Sequence, residues 1–322
     1  MRLGLICLLI LGVVAVPSFA EETYAEKLGW PEGSRVIFFH SDDLGMHHDA
    51  NVGTIRSIEE GVVTSASTMM PCSWVPMWAE WMRENPDFDN GVHLTLTSEW
   101  KNYRWAPVAG AENVPSLVDP DGYLWRSVAE VVQYGDPDHV EMEIRAQIAK
   151  ARRMGLPVTH LDSHMGTLFA SPEFLARYVK VGIEEQIPIM MMGGHMEYLT
   201  SENPERAALA PMLREVAQQV WDAGLPLLDD LQTDPTGAAR DVEDKRADII
   251  KRLREMRPGV TMLIVHCTDP SPVFSKISGS GPNRLSDTEV MSDPEIRKVI
   301  EEEGLILTTW RELHERRKAL QN

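Results

Sequence analysis

The alternation of short apolar runs with amphipathic stretches constrains this chain more than any other feature. RVIFF (35–39), GVHLTLT (91–97), PVTHLDS (157–163), IPIMMM (187–192), TMLIV (261–265) and GLILTT (304–309) read as buried strands. Between them, 49–61, 140–155, 171–185, 205–224, 241–259 and 293–304 carry apolar residues at helical spacing, many with a glycine near the end. Strand and helix taking turns in this way predict an α/β fold with a mostly parallel sheet, closed or nearly closed into a distorted (β/α) barrel. No stretch rich in Pro, Gly or Ser divides the chain, so residues 21–322 are expected to form a single domain. The segments 98–125 and 269–284 break the pattern and read as irregular loops, the first a candidate lid or substrate loop.

Residues 1–20 stand apart. MRLGLICLLILGVVAVPSFA joins a basic Arg2 to an apolar run too short to span a bilayer comfortably, then to the small residues of a cleavage site. A signal peptide, and an exported protein with no stable membrane insertion after its removal, are the expectation. The formal charge of -18, with no basic cluster, argues against nucleic acid as a partner. Cys7 leaves with the leader. A disulfide between Cys72 and Cys267 suits an oxidising compartment but requires a proximity that sequence does not show. Monomer and homo-oligomer both stay open.

In parallel α/β folds, functional side chains gather at the carboxyl ends of strands. Asp42 and Asp43 follow the first strand, His93 lies within GVHLTLT, and His266 ends TMLIV. In VTHLDSH, His160, Asp162 and His164 share one face if the strand continues that far. Singly, each has a bland reading as a turn, a cap or a hydrogen-bonded core residue. Together, on four strands that end alike, they describe a site. Asp, His and His suit a divalent cation, and three protein ligands leave positions open for water and substrate. One carboxylate of the pair would then ligate the ion while its neighbour serves as a general base.

These residues resemble the YdjC-like (ChbG-type) carbohydrate deacetylases. The likeness is carried by SDDLGMHHDANVGTIRSIEEGVVTSASTMM, GVHLTLT, VTHLDSH, MLIVHCTDP and the closing DPEIRKVIEEEGLILTTWREL. It implies a barrel related to the NodB-type polysaccharide deacetylases, with one divalent metal at its mouth: zinc or magnesium, with manganese and cobalt as alternatives. By position, the resemblance assigns Asp43, His93 and His164 as ligands, Asp42 as catalytic base and His266 as general acid. His160 is either a partner that orients a ligand or a ligand itself. The chain departs from the family pattern at HMGTLF and HCTDP, both at the rim of the site.

The implied reaction is metal-assisted removal of an N-acetyl group from a sugar or oligosaccharide. Two rival readings are an exported carbohydrate-binding protein without turnover, and a metallohydrolase acting on an ester, another amide or a phosphoester. Trp74, Trp78 and Trp81 are spaced for one helical face and read as core. Trp100, Trp105 and Trp125, around the long loop, are candidates for stacking on sugar rings. The methionine run 190–192 reads as buried strand, with His195 just beyond it as a remote candidate for the site. His47 and His48 read as exposed loop residues.

Overall fold

The ten residues Arg35–Leu44 form β1, the strand around which the sheet is built. The computed structural model describes residues 22–202, 207–233, 241–269 and 271–321, so the leader lies outside the described residues. β2 (Val63–Thr68), β3 (Asp89–Leu94), β4 (Leu161–Ser163), β5 (Asp230–Gln232), β6 (Gly259–Val265) and β7 (Ile306–Leu307) complete, among the described residues, a seven-stranded sheet. The order is β4-β3-β2-β1-β6-β5, with β7 paired to the amino-terminal part of β1, and every ladder is parallel. Single parallel bridges, Leu161↔Ile189 and Met192↔Leu228, lead from the β4 edge toward the β5 edge. The sheet therefore curls into an incompletely closed, distorted (β/α) barrel.

IPIMMM, expected as a strand, contributes those isolated bridges rather than a ladder. β2 and β5 escape a search for apolar runs because VTSAST and DLQ are short and polar. In β2, Ser65 and Ser67 face the polar barrel interior, where both meet His40. The segment 269–284 is not wholly irregular: it contains the helix Phe274–Ile277 and the start of the helix Gly281–Met291.

Side-chain alternation along β1 divides two environments. Ile37 and Phe39 point outward, where they pack with Ile249, Leu253, Ile296 and Val299 of the surrounding helices. Val36 and Phe38 point inward, with Val260, Met262 and Trp310, and close the floor of the barrel. Two residues further on, His40 and Asp42 continue the inward face. Ser41 continues the outward face and bonds Thr54 of the helix His48–Glu59 (Oγ–Oγ1 2.8 Å). Apolar side chains thus fill the amino-terminal half of the barrel and leave its carboxyl-terminal half for polar groups.

Candidate metal centre

At the end of β1 the alternation breaks. Between the pairs Ser41↔Ala66 and Leu44↔Thr68, two residues, Asp42 and Asp43, stand opposite the single Ser67 of β2. Asp43 has φ of 68°, in the left-handed region that side chains other than glycine rarely adopt. Strict alternation would send Asp43 outward with Ser41. The bulge and the left-handed turn instead bring both carboxylates to the mouth of the barrel, and strain of this kind concentrates at functional sites.

Asp43 Oδ1 lies 3.1 Å from His164 Nδ1 and 3.3 Å from His93 Nε2, and the two nitrogens are 3.2 Å apart. Ligand atoms about 2.1 Å from one ion, at tetrahedral or octahedral angles, are separated by about 3.0–3.4 Å. The triangle has the dimensions of a coordination face. Its oxygen, Asp43 Oδ1, is buried and makes no hydrogen bond.

Neighbouring carboxylates select the tautomers. His93 Nδ1–H donates to Asp162 Oδ1 (2.7 Å), which leaves the Nε2 lone pair facing the triangle. His164 Nε2–H donates to Glu99 Oε1 (3.1 Å), which leaves Nδ1 facing it. A carboxylate behind each metal-facing imidazole is the usual support for such ligands. Asp43 Oδ2 accepts from Arg284 Nη2 at 2.5 Å, so its other oxygen is turned to the histidines.

Burial opposes ionisation of Asp43, yet the Arg284 guanidinium and His164 hold its carboxyl well below the usual range. Burial likewise works against a charged His164, but Glu99 and Asp43 overcome it and push the imidazole up to about 9. His93 is raised well above its ordinary value in the same way, with Asp162 and Asp42 outweighing desolvation. Without an ion, two protons supply the positive charge that the carboxylates demand. Asp42, Asp43, Asp162 and Glu99 face Arg284 and His40, so one divalent cation between neutral His93 and His164 balances the cluster. The residues fit a metal.

The family model for YdjC-like proteins matches residues 36–302. The chain belongs to the YdjC-like family. A carbohydrate deacetylase of Thermus thermophilus is 30% identical over 290 residues, which cover 90% of this chain and 97% of that protein. A carbohydrate deacetylase of Enterococcus faecalis is 25% identical, covering 87% and 98%. A crystal structure of an Enterococcus faecalis protein, 22% identical over 87% of this chain and 99% of its own, aligns with a TM-score of 0.72 and shares the fold.

In this YdjC-like chain Asp42 stands beside the triangle. Its Oδ1 is 3.1 Å from His40 Nε2, and its Oδ2 is 3.8 Å from His266 Nε2. His266 follows inward-facing Ile264 on β6, and its main-chain N–H donates to Asp287 Oδ2 (3.0 Å). Burial and the charge of Arg284 push His266 below its ordinary value, so in the metal-free protein it is neutral at neutral pH. His160 is wholly buried below the triangle, stacked on Trp310, with Nε2 3.9 Å from Asp162 Oδ2. Gly91 is what admits it, since a Cβ there would lie 2.4 Å from the ring. His195 is not at this end of the barrel. It lines a groove with Pro258, the residue before β6 begins, whereas His266 follows the end of the same strand.

The expectations for the tryptophans hold only in part. Trp105 is buried with its indole N–H on Thr97 O, and the indole of Trp125 bonds Ser116 O, so both brace the loop. Trp78 is core, but Trp74 is 39% exposed, with its main chain held by Gly45 and Asn51 next to the aspartate pair. His47 caps the helix that follows and is buried; of that pair only His48 is exposed. Cys72 and Cys267 are buried free thiols.

Four further site residues complete the picture. His40 lies two positions before Asp42 on the same inward face, so period-two reading points to it. Asp162 was legible in the same way, although its role as the support of His93 was not. Glu99 and Arg284 carry no local signal, because each comes from a segment read as irregular loop.

Proposed function

We propose that this protein is an exported, metal-dependent hydrolase that removes N-acetyl groups from a sugar or oligosaccharide. The observation that carries the reading is the Asp43–His93–His164 triangle, with tautomers set by Asp162 and Glu99 and a separate carboxylate, Asp42, beside it. The carbohydrate deacetylases among its relatives support the reaction class. A leader-like 1–20 supports export, and no helix among the described residues is long and apolar enough to cross a membrane.

Asp43, His93 and His164 would hold the ion, and two imidazole nitrogens in the donor set favour zinc over magnesium. A bound divalent cation supplies Lewis acidity, polarising the acetyl carbonyl and acidifying a water molecule. Asp42 takes the proton from the attacking water. His266, neutral at rest and 3.8 Å from Asp42 Oδ2, is placed to relay that proton to the departing amine, which cannot leave as an anion. Arg284 keeps Asp43 ionised and aimed at the ion.

A binding protein without turnover has no need of a free carboxylate beside the ligand set. The buried, oriented Asp42 therefore favours catalysis. The test is acetate release from N-acetylated chito-oligosaccharides by zinc-loaded and chelator-stripped protein. Release that depends on metal is expected. Metal-dependent cleavage of esters or phosphoesters with no acetate from the sugars would replace the substrate class.

A further inference from the structure

Below the triangle lies a second polar cluster, His40, Asp162 and His160, that the reaction as described does not use. His40 is wholly buried at the midpoint of the inward face of β1. Its Nε2 is 2.9 Å from Asp162 Oδ2, 3.1 Å from Asp42 Oδ1 and 3.2 Å from Ser67 Oγ. Its Nδ1 is 2.9 Å from Ser65 Oγ. The donor atoms of His40, His160 and Asp162 lie close enough to hold an ion of their own, so the cluster is either a second metal site or something that replaces one.

Hydrogen-bond logic separates the two. Two carboxylate oxygens converge on Nε2, and an imidazole lone pair cannot face them without a cation between, so Nε2 carries either a proton or a metal. On the other side, Ser65 Oγ lies 2.9 Å from Nδ1 and can accept from it, so both nitrogens of a charged ring have partners. His160 does not complete a ligand set. Its Nδ1 meets Thr159 Oγ1, whose hydrogen goes to Asn90 O, and its Nε2 is 3.9 Å from Asp162 Oδ2, longer than any edge of the upper triangle. Charge points the same way: with Asp42, Asp43, Asp162 and Glu99 set against Arg284 and one divalent ion, a protonated ring balances these groups, and a second divalent ion in its place would exceed them.

We propose that His40 is a resident imidazolium, a fixed cation that holds the base Asp42 and the orienting carboxylate Asp162 in place and occupies the position a second metal ion would otherwise take. The ring is a positioning residue, since its contacts are with Asp42 and Asp162 and it acts through them. One side of it steadies the group that removes the proton from water, and the other steadies the group that aims His93. The groups that face it are Asp42 on its own strand, Ser65 and Ser67 on β2, and Asp162 and His160 from β4 and its approach. Burial opposes a charge on the ring, and the hydrogen bonds to Asp162 and Asp42 prevail and push it up to about 9.

The inference rests on Asp42 being the base, but its main test needs no turnover. In zinc-loaded protein with histidine labelled by ¹⁵N, assigned by His40→Gln, both ring nitrogens of His40 should resonate as N–H near neutral pH. Metal analysis should give one zinc per chain. A neutral or metal-bound His40 ring, or a second zinc that His40→Gln removes, would overturn the proposal. If no sugar releases acetate, the proposed reaction fails while these two measurements still decide the ring. Where acetate is released, His40→Gln should lower kcat on the order of 10²-fold with KM and zinc content retained, the scale for misplacing a catalytic group. Unchanged kcat in a folded variant would also sink it. The wild-type measurements stand even if the variant does not fold.

Discussion

Glu99 Oε1 lies 3.1 Å from Nε2 of His164, 65 residues further along the chain. The start of the long loop after β3 thereby sets which nitrogen of His164 is left facing Asp43 and His93. Glu99→Ala frees His164 to take the other tautomer. Zinc affinity should fall by about 10- to 100-fold, measured by competition with a chromophoric chelator, while the far-ultraviolet circular dichroism is unchanged. Undiminished affinity would mean that Glu99 does not set the tautomer.

Zinc binding should expel protons. Before binding, His164 is raised to about 9 and His93 well above its ordinary value, each by carboxylates that outweigh burial, so both rings are protonated at neutral pH. The ion needs the same lone pairs. About two protons should therefore be released per ion near pH 7. Because protons compete below the raised values, affinity should climb with pH and level off only above about 9. Calorimetry in buffers of different ionisation enthalpy measures the count, and zero release would contradict the assigned ligands.

Asp42→Asn keeps the shape of the side chain and removes its basicity. Turnover should drop by roughly 10²- to 10⁴-fold with zinc content unaltered by elemental analysis. Substantial acetate release from this variant would remove Asp42 from the mechanism.

Arg284→Met leaves the Asp43 carboxylate buried without its partner, which costs about 3–5 kcal/mol in comparable cases. The bound cation offsets part of this. Thermal unfolding should show a larger fall in Tm for stripped than for zinc-loaded protein, and equal falls would show that Arg284 and the ion do not share Asp43.

Trp74→Ala tests the exposed ring beside the aspartate pair. If that face meets substrate, KM for a chito-oligosaccharide should rise several-fold with kcat little changed, the pattern of lost ground-state binding. A fall in kcat at constant KM would place Trp74 in support of the catalytic groups instead.

The alternation of apolar runs and amphipathic helices settled the α/β class, because burying both faces of a parallel sheet leaves a periodic trace in any sequence. The same logic put Asp42, Asp43, His93, His164 and His266 at strand ends, and His40 was within its reach two residues upstream of Asp42. What alternation could not show is that Asp43 breaks it. Only the bulge opposite Ser67 and the left-handed turn bring Asp42 and Asp43 to one side. Nor could local pattern find Glu99 or Arg284, whose meaning lies wholly in partners far along the chain. Sequence records which faces are buried, since burial repeats with the backbone. Which charges meet depends on where distant segments cross, and that is decided only when the sheet curls and the helices close over its mouth.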